Sequence, residues 1–185
     1  MASSRRDHLV DTAVRLFNRY GYHATGIDTI LKEAGVAKMT LYNHFKSKDD
    51  LVVAALKKKE QFFADQYRLK TAGWDLKPRG RLNAIIEVYE DWFRSPDFNG
   101  CMFLRGAGEY ADPRSPVFQT IRAHKETTLK RYAGLGAELG MRDPFSFASQ
   151  LMVIIDGAIQ GAKIFGAEPA IKTMRTMVNR LVEGK

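Results

Sequence analysis

The stretch from Thr25 to Leu51, TGIDTILKEAGVAKMTLYNHFKSKDDL, leaves the chain few ways to fold. Thr25 followed three residues later by Asp28 is a capping-box pattern, and Ile27, Ile30, Leu31 and Ala34 recur at helical spacing until Gly35. Val36 and Ala37 suffice only for a tight turn, after which Lys38 to Phe45 resumes helical spacing with Leu41 and Phe45 inward. Two short helices joined by a glycine-containing turn of three or four residues form a helix-turn-helix.

The second helix turns Lys38, Thr40, Tyr42, Asn43 and His44 outward. A cation, two hydroxyls, an amide and an imidazole can bond phosphates and base edges, so double-stranded DNA is the expected partner. Phosphate contacts are expected of Thr25, Tyr42 and Lys48, and base contacts of Lys38, Met39, Thr40, Asn43 and His44. Ser47 and Asp50 repeat the capping-box spacing and open a longer helix. Lys48 sits in its first turn, where ammonium and exposed amides can face one phosphate together.

Gly21-Tyr-His-Ala-Thr25 and Ala34-Gly-Val-Ala-Lys-Met-Thr-Leu-Tyr-Asn-His-Phe-Lys-Ser-Lys48, running on to Leu51, resemble the DNA-binding domain of the TetR family of bacterial transcriptional regulators. The resemblance implies a dimeric repressor with an N-terminal reader and a C-terminal domain that senses a small molecule. One departure is Ala37, where the family commonly has Ser or Thr. Alanine accepts no hydrogen bond at that cap, a loss of about 1 kcal/mol.

Elsewhere the pattern is helical throughout. Ser4 and Asp7 have capping-box spacing, and Leu9, Ala13, Leu16, Phe17 and Tyr20 form one stripe before Gly21. Arg5 and Arg6 precede that stripe, either as a basic arm able to reach phosphate or a minor groove, or as a solvated terminus. From Lys48 a helix runs to about Lys70, carrying the Lys57-Lys58-Lys59 run as a solvated face. Thr71 to Gly80 reads as a Gly/Pro-containing connection. Further helices are expected from Pro78 to Ser95, Val117 to about Leu139, Phe145 to Phe165 and Pro169 to about Val182, with a short segment Cys101–Arg105 between. The expected fold is all-α: a three-helix helix-turn-helix domain over 1–47 and a helical effector-binding and dimerisation domain over 48–185.

Net charge is +8 over 185 residues, and residues 1–60 carry 11 Lys and Arg against 7 Asp and Glu, about twice the density of net charge found in the remainder. That bias suits an anionic partner. A single cysteine excludes an intramolecular disulfide, the N-terminus lacks an apolar signal core, and the run Leu151–Ile155 is too short for a bilayer. A cytoplasmic protein without membrane partners is expected. No Gly-x-Ser-x-Gly, Gly-Lys-Ser/Thr or His-Glu-x-x-His motif occurs, and the four histidines are dispersed, so neither enzyme, cofactor nor metal is expected.

Tyr67, Trp74, Tyr89, Trp92, Phe93, Phe98, Cys101, Met102, Phe103, Tyr110, Phe118 and Met152, with His124, Asp156 and Gln160 as polar candidates, suggest an apolar cavity for an aromatic or apolar effector. Cys101 is either a small buried hydrophobe or a redox sensor tuned by Arg105. Leu151, Ile154, Ile155, Ala158, Gly161 and Ala162, with Ile171, Met174, Val178 and Leu181, form two apolar helical faces expected to pair as a four-helix bundle with a second copy. Ligand-released binding of a palindromic operator is the expected function; a redox response through Cys101, or non-specific DNA binding, are the alternatives.

Overall fold

The computed structural model describes residues 4–72 and 77–184, so Trp74 and part of the Thr71–Gly80 connection lie outside it. Among the described residues there are nine α-helices and no strand: α1 (Arg5–Tyr20), α2 (Ile27–Ala34), α3 (Lys38–Tyr42), α4 (Lys48–Thr71), α5 (Pro78–Arg94), α6 (Met102–Glu109), α7 (Pro116–Glu138), α8 (Pro144–Phe165) and α9 (Ala167–Glu183). The fold is all-α, with a helix-turn-helix at its N-terminus.

Local chemistry sets most of the boundaries. Ser4 Oγ accepts the Asp7 amide at 3.1 Å and opens α1; Ser47 and Asp50 exchange reciprocal bonds of 3.1 Å each at the start of α4. Asp143 accepts the Ser146 amide at 2.9 Å, and Pro144 occupies the first turn of α8, where its missing N–H would have had no helical partner. Gly35, at φ 62° and ψ 34°, adopts the left-handed cap that a side chain disfavours, and so ends α2.

Four expectations differ. The cap of α2 is Gly26, not Thr25; the Thr25 hydroxyl donates to the Gly21 carbonyl at 2.6 Å, satisfying backbone at the end of α1. Tyr20 is 54% exposed rather than part of the buried stripe, with the Arg19 guanidinium carbon 5.2 Å from its ring centroid. The recognition helix closes at Tyr42, because the His44 amide bonds Leu41 O at 3.0 Å in a tightened last turn. Finally, α9 begins at Ala167, two residues before Pro169.

Two compact units emerge: Met1–Phe62 with Cys101–Ala123, and Phe63–Gly100 with His124–Lys185. In the first, Leu9, Leu16 and Phe17 of α1, Ile30 of α2, Leu41, Phe45, and Leu51, Val52, Ala55 and Leu56 of α4 share one core with Met102 and Phe103 of α6 and Val117 and Ile121 of α7. In the second, Leu82, Ile86 and Phe93 of α5, Leu151, Ile155 and Ile159 of α8, and Ile171, Met174 and Val178 of α9 are buried. A single residue, Gly166, ends α8 and opens α9. Glu90 of α5 is buried and receives Arg175 of α9 through two bonds, Nη2 to Oε2 at 2.8 Å and Nε to Oε1.

Candidate nucleic-acid interface

The recognition helix is five residues long and carries no side-chain cap at Ala37, so its position is set from outside. Leu41 and Phe45 root it in the first unit's core, while Lys38, Met39, Tyr42, Asn43 and His44 are exposed and Thr40 is half-buried. Met39, at 69% exposure, is an apolar group held in water, as suits contact with a base edge or a thymine methyl. Lys48 is half-buried in the first turn of α4. Thr25 is placed differently: it is buried, and its hydroxyl faces the α1 carbonyls rather than solvent.

The support behind this face comes from α1 and from a helix distant in sequence. His8 Nε2 lies 3.0 Å from the Ala34 carbonyl, joining α1 to the end of α2, and Arg15 pairs with Glu33 at 3.1 Å. One guanidinium nitrogen of Arg105, on α6, donates to the Phe17 and Asn18 carbonyls at 3.1 and 3.0 Å, closing the C-terminal end of α1. The Glu109 carboxylate accepts the amides of Tyr22 and His23 at 3.2 and 2.6 Å. Tyr22 is buried, and its hydroxyl donates to Met102 O at 2.9 Å. Burial drives its phenol far above the ordinary value, so it stays a donor. Tyr110 donates to Asp49 at 3.2 Å, adding the start of α4 to the same clamp. Gly106 permits this packing: a Cβ there would stand 2.7 Å from Ile121 Cδ1. Sequence reasoning missed the clamp because its partners lie 61 to 88 residues apart.

The residues expected to line an effector cavity divide between the units. Cys101, Met102, Phe103 and Tyr110 belong to, or pack against, the core behind the recognition helix, and half-buried Phe118 lies in the same unit. Tyr67, Tyr89, Trp92, Phe93, His124, Met152 and Asp156 belong to the second. There Phe63, Tyr89, Trp92, Phe93 and Phe98 form a continuous ring cluster, with centroids 4.8 Å apart for Phe63–Trp92 and 4.9 Å for Trp92–Phe98. The Tyr89 hydroxyl stands 3.5 Å from that of Tyr132, and in the same unit Lys125 grips Asp156 at 2.6 and 2.7 Å.

The expected dimerisation residues also separate. Leu151, Ile155, Ala162, Ile171, Met174 and Val178 are buried within the chain, mostly where α8 packs on α9, whereas Ile154, Ala158, Gly161 and Leu181 are half-buried. The other face of the pair is an apolar groove of about 470 Å³ lined also by Gly157, one of the small residues of α8 that let another backbone come close, and by Val153, Phe165 and Met177, which were missed because a helix apolar all round does not reveal which side its own chain covers. Among the described residues no helix is long and apolar enough to cross a membrane, and no group of three or more His, Cys, Asp or Glu is placed to hold a metal ion.

A polar-faced recognition helix, set by a glycine turn against a supporting helix on an all-helical body, defines a helix-turn-helix DNA-binding regulator rather than an enzyme. Residues 9–55 match the model of the bacterial regulatory proteins of the tetR family, and residues 78–178 match that of a tetracyclin repressor-like C-terminal domain. The chain belongs to the TetR family of transcriptional regulators. The solved structure of the TetR-family regulator SCO4454 from Streptomyces coelicolor is 33% identical, with a TM-score of 0.91 over 97% of this chain and 95% of that one. The transcriptional repressor ComR of Escherichia coli is 24% identical over 89% of this chain and 80% of its own length. The transcriptional activator FasR of Mycolicibacterium smegmatis is 38% identical over 48% of this chain, which spans only 40% of that protein.

Proposed function

We propose that the chain is a dimeric repressor that binds a palindromic operator and leaves it when a small apolar or aromatic effector occupies the second unit. The observation that carries this reading is the outward display of Lys38, Met39, Tyr42, Asn43 and His44 on a helix rooted by Leu41 and Phe45. Lys38, Met39, Thr40, Asn43 and His44 read bases, Tyr42 and Lys48 hold phosphates, and the buried Thr25 contributes by fixing the backbone that leads into α2. The reader role is assigned to 1–47, with Lys48 at the start of the adjoining α4 as its outermost phosphate contact and residues of α6 and α7 completing the core beneath it, and the sensing and dimerisation roles to the remainder of 48–185. The second copy is supported by the uncovered apolar groove of α8 and α9, with the residues already buried beneath it serving as its floor.

Two recognition helices related by a two-fold axis reach successive major grooves about 34 Å apart. The ring cluster supports an aromatic or apolar effector, and Lys125 with Asp156 gives it polar groups for orientation. The helices α4 and α7 each run through both units, so a displacement in the second is delivered covalently to the first. A coupling of about 1–3 kcal/mol between the sites suffices to release DNA.

Selection from a random duplex pool, followed by titration of the winner across a salt series, tests the reader. Convergence on an inverted repeat with half-sites about one turn apart is expected; binding without convergence, with only a steep salt slope, would make the protein a non-specific binder. A melting-temperature screen tests the sensor. Aromatic and apolar compounds are expected to raise the transition, and a response confined to hydrophilic metabolites would refute that ligand class.

A further inference from the structure

Arg6 lies in the first turn of α1, and its guanidinium carbon stands 5.3 Å from the centroid of the Phe45 ring. Phe45 belongs to the core that roots the recognition helix, so the ring is a fixed shelf. The charge is therefore held beside the segment that leaves that helix, where His44 and Lys46, the chain neighbours of Phe45, are both exposed. A guanidinium lying over a ring keeps its N–H donors in its own plane, with the geometry that suits two phosphate oxygens at once. Its ion-pair partner, Asp7, stands 3.9 Å away, beyond hydrogen-bond distance, and the Asp7 carboxylate accepts the Ser4 hydroxyl at 2.8 Å. The Arg6 side chain remains 51% exposed.

We propose that Arg6 is a further phosphate contact of the reader, an arginine held in position by Phe45 beside each recognition helix. This rests on the reading of α3 as the DNA-facing helix. The contact carries no base information, so it raises affinity for every duplex and contributes to the salt dependence of binding.

Wild type, Arg6→Met and Arg6→Lys are titrated against the duplex selected by wild type and against an unrelated duplex, each across a salt series. Methionine keeps an apolar cover on Phe45 and removes the charge; lysine keeps the charge. For the dimer, the methionine variant is expected to lower the slope of log K against log salt by about 1.8, one phosphate for each protomer. It weakens both duplexes by the same factor, while the lysine variant keeps the wild-type slope. An unchanged slope for Arg6→Met, with wild type binding normally, would overturn the Arg6 contact alone; a lowered melting temperature beside it would identify Arg6 as a lid on Phe45. Absence of salt-dependent binding by wild type would remove the DNA-facing reading and the Arg6 contact together.

Discussion

Glu90 shows how unevenly the two partners of one ion pair sit. Its carboxylate is 7% exposed, whereas the Arg175 side chain is 44% exposed, and Arg94 stands farther off at 4.0 Å. Arg175→Met therefore strands a buried charge and is expected to destabilise the fold by about 3 kcal/mol, while Glu90→Gln releases a guanidinium that water can reach and costs about 1 kcal/mol. Urea unfolding of the two variants checks the order, and equal losses would show that the burial of Glu90 is unimportant. Tyr132 gives a pH-dependent case. Burial pushes its phenol up to about 12 from an ordinary value of 10.0, so the neutral group's contribution is complete below pH 10 and is lost as pH rises towards 12. Tyr132→Phe is expected to flatten that limb, narrowing the loss of stability between pH 9 and pH 11 by about 1 kcal/mol relative to wild type. Parallel urea midpoints at the two pH values would show no such narrowing if the phenol ionised normally.

At the scale of elements, the clamp made by α6 is the feature with the largest consequence. An eight-residue helix closes the end of α1 with Arg105, holds the Tyr22 and His23 amides with Glu109, and reaches the start of α4 through Tyr110. Arg105→Met removes a charged donor from two carbonyls and is expected to destabilise the protein by about 2 kcal/mol, with earlier hydrogen exchange in the last turn of α1 than in α8. Uniform loss of protection would mean that the clamp has no local role. Helix starts were legible because they are local: Ser4 with Asp7, Ser47 with Asp50, and Pro144 after Asp143 act within three residues, so spacing alone locates them. The polar face of α3 was legible for the same reason. The inward turn of Thr25 was not, because it answers a carbonyl that appears only once α1 has ended. Nor did composition reveal that Met102 and Phe103 serve the core behind the reader rather than the ring cluster; aromatic and thioether side chains look alike in either place until the topology is known.

For the whole molecule, the uncovered groove of α8 and α9 gives the clearest test. A Cβ at Gly157 would meet no atom within 4 Å, so Gly157→Glu leaves the single chain undisturbed, and replacing a helical glycine even favours the helix. Across a two-fold axis the same change buries like charges against each other. The variant is expected to melt close to wild type when dilute but to sediment as a monomer and lose operator affinity; a variant that remains dimeric would show that this groove is not where the copies meet. The way the first unit is assembled carries a consequence for how such regulators exchange parts. Because Met102, Phe103, Val117 and Ile121 complete the core beneath the recognition helix, no single cut in the chain separates the whole of the first unit from the whole of the second. A chimaera joined at residue 47 takes its DNA specificity from one parent and part of the hydrophobic footing of that specificity from the other, so the module that recombination can move intact is a discontinuous one.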